Sequence, residues 1–159
     1  MDTLEIICKG IDEKKGFLRE HTGRGEDISP EFVIGNLSPD AKTLMITLED
    51  VFHPIKNFTH WVIWNIPAAS VIPKGIPHGK QTLGSASQGI GYGFHRYAGP
   101  KPPRGKTHMY CFTVYALDCS LDLNALCFKR KVLRAAKGHV IQHGEVRGFF
   151  EGNGLRWAK

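Results

Sequence analysis

The segment Tyr97–Asp118, YAGPKPPRGKTHMYCFTVYALD, joins a stiff loop to a long apolar strand. Its first half, Tyr97–Lys106, is rich in proline and glycine, and proline cannot donate to a β-ladder, so we predict an ordered loop there. The second half, His108–Leu117, is an unbroken aromatic and apolar run that is typical of a buried strand. Because alternate residues of a strand share a face, His108 and Tyr110 should lie side by side where the loop meets the sheet.

Two further apolar runs precede this segment. Lys42–Glu49 alternates as a half-buried strand does, and Asp50 continues its apolar face. Phe58–Ile66 is apolar on both faces, which predicts a central strand. Simple alternation places His60 on the same face as Trp64.

The remaining elements are shorter or less regular. We predict strands at Leu4–Cys8, at a sheet edge, and at Phe32–Ile34. Leu121–Lys137 predicts one or two helical turns and then a helix that ends near Ala136. Val140–Phe150 favours a strand with bends at its glycines, with a short helix left open. Residues 68–93 read as one long loop, which is typical of a segment that helps to build a site.

Composition indicates one mainly β domain over residues 1–159. The formal net charge of +6 permits weak attraction to anions, anionic lipid or nucleic acid. The basic residues are scattered, however, and the single run Lys129-Arg130-Lys131 is typical of a solvated helix face. We therefore expect no nucleic acid partner, because no basic stripe with interleaved aromatic residues is present.

The four cysteines, Cys8, Cys111, Cys119 and Cys127, form no CxxC pair. This spacing argues against a zinc or thioredoxin-like site, and we expect no cofactor. The N-terminus lacks a basic region followed by a long apolar run, and no stretch approaches the ~20 apolar residues of a membrane span. These features predict a cytoplasmic protein with reduced thiols.

Asp50, His60 and His108 each stand near the end of an apolar strand. A carboxylate beside two imidazoles suits an anionic group such as a phosphate, because imidazolium and phenol donate hydrogen bonds while loop amides close around the ligand. Two plainer interpretations stay open: a histidine in an apolar run is often a hydrogen-bonded core residue, and Asp50 is also a natural turn cap. The other histidines are expected at the surface or in loops: His53, His78, His95, His139 and His143.

Several segments, in order, resemble the phosphatidylethanolamine-binding protein family, which includes Raf kinase inhibitor-like and bacterial YbhB/YbcL-type proteins. The segments that carry the resemblance are Asp27-Ile28-Ser29-Pro30, Leu48-Glu49-Asp50 with Pro54, Thr59-His60-Trp61-Val62, Tyr97–Tyr110 and Phe112–Asp118. The resemblance implies a β-sandwich with a large central antiparallel sheet, small peripheral helices and an anion pocket.

The resemblance also implies which residues bind the ligand. Asp50 matches the first aspartate of the family's Asp-Pro-Asp-x-Pro motif, His60 its pocket histidine, and His108 the histidine of its Gly-x-His-Arg motif. The other matched positions are Tyr110, Pro54, Gly99 and Pro103. Phe52 stands where the family has its second aspartate, and Met109 where it has the arginine. Both departures remove a charge.

Three function classes follow from these residues. The first is a binding protein for phosphate or a phosphoethanolamine-like headgroup, and we expect no enzymatic activity because no nucleophile motif is present. The second is a hydrolase that uses Asp50, His60 and His108 in acid–base chemistry or as metal ligands. The third is an interaction protein whose surface binds a kinase or a protease, as the resemblance implies. Peripheral membrane contact and a homodimer stay open.

Overall fold

Nine strands and one α-helix form within residues 3–152, the part of the chain that the computed structural model describes. The single domain predicted for residues 1–159 thus extends beyond the described residues at both termini. The elements are β1 (Glu5–Cys8), β2 (Phe32–Gly35), β3 (Thr43–Asp50), β4 (Phe58–Pro67), β5 (Val71–Ile72), β6 (Gln81–Thr82), β7 (Ala86–Gln88), β8 (Thr107–Leu117), α1 (Lys129–Ala136) and β9 (Val140–Glu151). A 3₁₀ turn covers Arg19–His21.

The strands form two antiparallel sheets. The large sheet has the order β6-β7-β4-β3-β8-β9, and the small sheet has the order β1-β2-β5. The predicted mainly β sandwich with a large antiparallel sheet is confirmed. β4 lies between β3 and β7, as the apolar character of both its faces predicts.

Two apolar layers hold these parts together. Between the sheets, Leu44, Trp61 and Phe112 of the large sheet are fully buried in one cluster with Phe32 of β2. On the other face of the large sheet, a second cluster buries residues of the sheet under one side of α1: Met45, Val62, Trp64, Leu117, Val132 and Ala136. The helix therefore forms a third, peripheral layer. One side of it is buried because alternate residues of β3 and β4 point to this face of the large sheet.

Two segments differ from the sequence predictions. Leu121–Phe128 forms no helical turn, because its backbone is committed elsewhere: Leu121 N–H donates to Asn65 Oδ1 (2.7 Å), and the Cys127 carbonyl accepts from Ile90 N–H (2.9 Å). The helix ends at Ala136 as predicted. Residues 68–93 are not one structureless loop, since they contribute β5 to the small sheet and β6 and β7 to the large one.

The long connection is organised around a buried glutamine that the sequence analysis did not single out. Gln88 Oε1 accepts a hydrogen bond from Trp61 Nε1–H (2.9 Å), and its amide group donates to the carbonyls of Pro77 and Gly79 (both 3.0 Å). His95 is also buried, and its Nδ1–H donates to the Gln88 carbonyl (2.8 Å). His95 was expected at the surface or in a loop, and it lies in the loop between β7 and β8, where it is buried rather than exposed.

Candidate functional site

The antiparallel pairing of three strands brings the predicted site residues to one end of the large sheet. Asp50 is the last residue of β3 and lies opposite Phe58 of β4 and Tyr110 of β8. Because β3 runs against both neighbours, its C-terminal end meets the N-terminal ends of β4 and β8. His60 and His108 stand close to those ends, so residues far apart in sequence become neighbours.

A β-bulge determines the direction of His60. Leu48 pairs with Trp61 whereas Glu49 pairs with Thr59, so His60 is an extra residue in β4. A bulge re-aims side chains, and the His60 ring packs edge-on against Tyr110, with 5.4 Å between ring centroids. His60 therefore does not share the face of Trp64, which lies in the helix-side cluster, and the prediction from simple alternation is wrong here.

A short hydrogen bond joins His108 and Asp50. His108 Nδ1–H donates to Asp50 Oδ2 (2.6 Å), and the other carboxylate oxygen accepts from Phe52 N–H (3.0 Å). Asp50 is only 4% exposed, and a buried carboxylate of this kind needs such donors. Because Nδ1 is committed to Asp50, Nε2 is the His108 nitrogen available to a ligand.

His60 is oriented in the same way by a backbone carbonyl. Its Nδ1–H donates to the Ala98 carbonyl (2.9 Å), which again leaves Nε2 for a ligand. Burial lowers the pKa of His60 below its usual range, although the Ala98 carbonyl and the Asp50 charge partly oppose this effect. His60 is therefore held in its neutral form until a negative charge approaches.

The loop that supplies the Ala98 carbonyl is anchored by Asp27. One carboxylate oxygen accepts from Gly99 N–H (2.7 Å), and the other forms an ion pair with Arg96 (2.9 Å). The hydroxyl of buried Tyr97 donates to the His21 carbonyl (2.6 Å). This half of the proline-rich segment is thus an ordered loop, as predicted.

These side chains surround a cavity of about 220 Å³. Five of the seven predicted site residues line it, namely Asp50, His60, Pro103, His108 and Tyr110. Burial, and then the nearby Asp50 charge, raise the pKa of the Tyr110 hydroxyl, which therefore stays protonated and able to donate. The cavity thus combines two imidazole nitrogens and a phenol donor in a mainly apolar wall.

The other two predicted residues, Pro54 and Gly99, do not line the cavity. Pro54 is exposed in the turn after β3. Gly99 is packed against the 3₁₀ turn, where an added Cβ would come within 2.1 Å of the His21 carbonyl oxygen. Gly99 therefore serves the close approach of two backbones, and any larger residue there would displace the loop rather than fill the cavity.

Five cavity residues were not predicted as site residues: His53, Phe58, Tyr92, Lys101 and Pro102. His53 was expected at the surface or in a loop; it lies in the loop between β3 and β4, and its ring stacks on Phe58 at 3.8 Å between centroids. Lys101 belongs to the proline-rich loop, and its position between Pro100 and Pro102 was the available signal. Phe58 and Tyr92 also line a neighbouring open groove of about 940 Å³.

The two positions that depart from the family motifs both lie beside Phe149, outside the cavity. The exposed Phe52 ring lies edge-on to Phe149, with 6.3 Å between centroids, and Phe149 is the cross-strand partner of Met109. An apolar contact thus occupies the place where the resemblance implies charged residues. Neither Phe52 nor Met109 lines the cavity, so Asp50, His60, His108 and Tyr110 meet without them.

Fold and site together define a mainly β sandwich with a small polar cavity at one end of its large sheet. The family model for phosphatidylethanolamine-binding protein matches residues 11–151. A UPF0098 protein of Pyrococcus horikoshii is 41% identical over 140 residues, which cover 83% of this chain and 69% of its own. YbhB of Escherichia coli, also a UPF0098 protein, is 35% identical over 98 residues, which cover 59% of this chain and 62% of its own. The chain therefore belongs to the phosphatidylethanolamine-binding protein family.

Solved structures show the same fold. A crystal structure of a phosphatidylethanolamine-binding protein homologue from Chlamydia trachomatis has a TM-score of 0.81 and 26% identity, and the match covers 95% of this chain and 99% of that one. E. coli YbcL gives a TM-score of 0.83 at 23% identity, over 94% of this chain and 99% of its own, and this likeness concerns the fold alone.

Two further observations bear on the sequence predictions. Among residues 3–152, no helix is both long and apolar enough to cross a membrane. The four cysteines are all free thiols, and three of them are buried.

Proposed function

We propose that this chain binds a small anionic ligand of the phosphate or phosphomonoester class in the cavity between His60 and His108. The observation that carries the proposal is the convergence of the His60 and His108 imidazoles, the Tyr110 hydroxyl and Lys101 on one cavity of about 220 Å³. Both histidines have Nδ1 committed to an acceptor, so both offer Nε2 to the ligand.

Proton sharing explains why a phosphate suits this arrangement. A singly protonated phosphate can donate its own hydroxyl to a neutral Nε2, and a dianion can draw a proton onto the ring. The Tyr110 hydroxyl is a further donor, and Lys101, a positively charged residue, also lines the cavity. A phosphomonoester such as a phosphoethanolamine headgroup carries a substituent as well, and the adjoining groove offers space for it.

Binding is favoured over catalysis by the composition of the wall. Among residues 3–152, those that line the cavity include no serine, threonine or cysteine, the usual nucleophiles of hydrolases. The Asp50 carboxylate is already satisfied by His108 and the Phe52 amide, so it positions an imidazole rather than facing a substrate. A kinase or protease partner stays a prediction from the family resemblance.

Histidine side-chain NMR tests the proposal directly. During titration with inorganic phosphate, and separately with O-phosphorylethanolamine, the ring signals of His60 and His108 should shift at millimolar ligand. The exposed His78 and His143 are internal controls and should stay unchanged. Absence of any shift of His60 and His108, or equal shifts of all four rings, would contradict the proposal.

A matched pair of lysine variants adds a second test. Lys101→Gln should weaken phosphate binding about threefold to tenfold, because it removes a positive charge from a residue that lines the cavity. Lys106→Gln, at an exposed position of the same loop outside the cavity, should have no effect. Equal losses for both variants would indicate attraction by net charge alone.

A further inference from the structure

A second cluster of side chains lies at the opposite end of β8 from the cavity. Asp118 and Cys119 directly follow β8, and His139 directly precedes β9. A carboxylate oxygen, a thiol sulfur and an imidazole nitrogen of these residues all lie within 4.8 Å of one another. The length of β8 separates this cluster from His108 by roughly 30 Å, at the usual rise per strand residue.

The backbone around the cluster is held by hydrogen bonds. Asp118 N–H donates to the His139 carbonyl (3.0 Å), which fixes the two segments relative to each other. The Cys119 carbonyl accepts from the Thr43 hydroxyl (2.7 Å). The pairing of β3, β8 and β9 therefore holds the backbone of Asp118, Cys119 and His139 in fixed relative positions.

The side chains remain open to solvent on one side. His139 Nδ1 lies 2.9 Å from Asp118 Oδ1, and these two side chains are 47% and 45% exposed. Tetrahedral ligands with bonds of 2.0 to 2.3 Å lie about 3.3 to 3.8 Å apart. Small rotations of the three side chains would bring their donor atoms to these separations, and the open side leaves room for a water ligand.

We propose that Asp118, Cys119 and His139 form a zinc-binding site, with water as the fourth ligand. A set of thiolate, imidazole and carboxylate is typical of Zn²⁺, whereas Mg²⁺ and Ca²⁺ prefer oxygen ligands alone. On binding, the Cys119 thiol loses its proton to solvent. The imidazole proton moves to Nε2, so that Nδ1 coordinates the ion. The sulfur–zinc bond thus replaces a sulfur–hydrogen bond.

Titration of the metal-free 159-residue protein with Co²⁺, a spectroscopic substitute for Zn²⁺, tests the site. We expect one cobalt per chain, visible d–d absorption and a sulfur-to-cobalt charge-transfer band in the near ultraviolet, all abolished by added Zn²⁺. Cys119→Ser should remove the charge-transfer band, and His139→Gln should weaken cobalt binding at least tenfold.

Two controls separate this site from other ligands. His143→Gln changes an exposed histidine of β9 outside the cluster, and Cys111→Ser changes a buried thiol, and neither should alter the spectrum. Circular dichroism of metal-free Cys119→Ser and His139→Gln should match that of the wild type. A missing charge-transfer band at millimolar cobalt, or the same band in Cys119→Ser, would overturn the proposal. The result does not depend on whether the cavity binds phosphate.

Discussion

At the scale of single residues, the pair His108 and Asp50 defines the chemistry of the cavity. The carboxylate is almost fully buried and receives one imidazole and one backbone donor. Such charge-assisted hydrogen bonds fix the tautomer of the imidazole and satisfy the buried carboxylate. The negative charge of Asp50 is thereby shielded from an approaching anion.

Replacing His108 by glutamine tests this pairing. His108→Gln removes a group that can carry a positive charge and leaves the Asp50 charge less well balanced. We expect phosphate affinity to fall at least about tenfold, equivalent to about 1.4 kcal/mol. Isothermal titration calorimetry measures the change, with His143→Gln as the control. Unchanged affinity would show that His108 does not contact the anion.

At the scale of elements, the loop after β7 owes its position to one aspartate in a distant segment. Asp27 bonds both Gly99 N–H and Arg96, and the intervening Ala98 carbonyl orients His60. Asp27 itself has a positive φ of 59°, a conformation that aspartate and asparagine adopt more easily than most residues. The position of the loop beside the cavity therefore depends on contacts of Asp27 with residues about 70 positions later in the sequence.

Asp27→Asn removes the charge of this residue while keeping its shape and tolerating its backbone conformation. We expect the free energy of unfolding to fall by about 1.5 to 3 kcal/mol, the usual contribution of hydrogen bonds to charged groups. Chemical denaturation measures this loss, and Asp122→Asn, at an exposed aspartate, serves as the control. An equal effect of both substitutions would mean that Asp27 does not brace the loop.

At the scale of the whole molecule, the His60 imidazole is buried between the end of the large sheet and the loop that contains Ala98. Burial lowers the pKa of His60 in the folded state, whereas the unfolded chain has the ordinary value of about 6.5. Between these two pKa values the unfolded state binds one more proton than the folded state. His60 therefore makes stability fall as the pH drops below about 6.5, and this effect ends below the folded pKa.

Unfolding measured between pH 8 and pH 5 tests this linkage. Below about pH 6.5 the wild type should lose up to about 1.4 kcal/mol of stability per pH unit from this one proton. His60→Gln retains an amide donor for the Ala98 carbonyl, and its stability should depend less on pH than that of the wild type. His78→Gln should show the same pH dependence as the wild type. Parallel curves for wild type and His60→Gln would show that His60 does not titrate differently on folding.

Much of this protein follows from local patterns in the chain. Alternation predicts β3 as a half-buried strand, and short runs that are apolar on both faces predict β4 and β8 as buried strands, because both patterns are local properties of the chain. The proline-rich loop follows from the chemistry of proline itself. The same apolar runs place Asp50, His60 and His108 near strand ends. The order of the matched segments along the chain carries the family resemblance.

Other features required the tertiary structure because they depend on contacts between distant residues. The bulge that turns His60 towards Tyr110 arises from the register between β3 and β4, which alternation within one strand cannot specify. Gly99 packs on the His21 carbonyl and so lies outside the cavity wall, while Tyr92, from the same connection between β7 and β8, lines that wall. The sequence by itself determined which segments form strands and which chemical groups they carry. Only the packing of the sheets and loops decided which of those groups face one another.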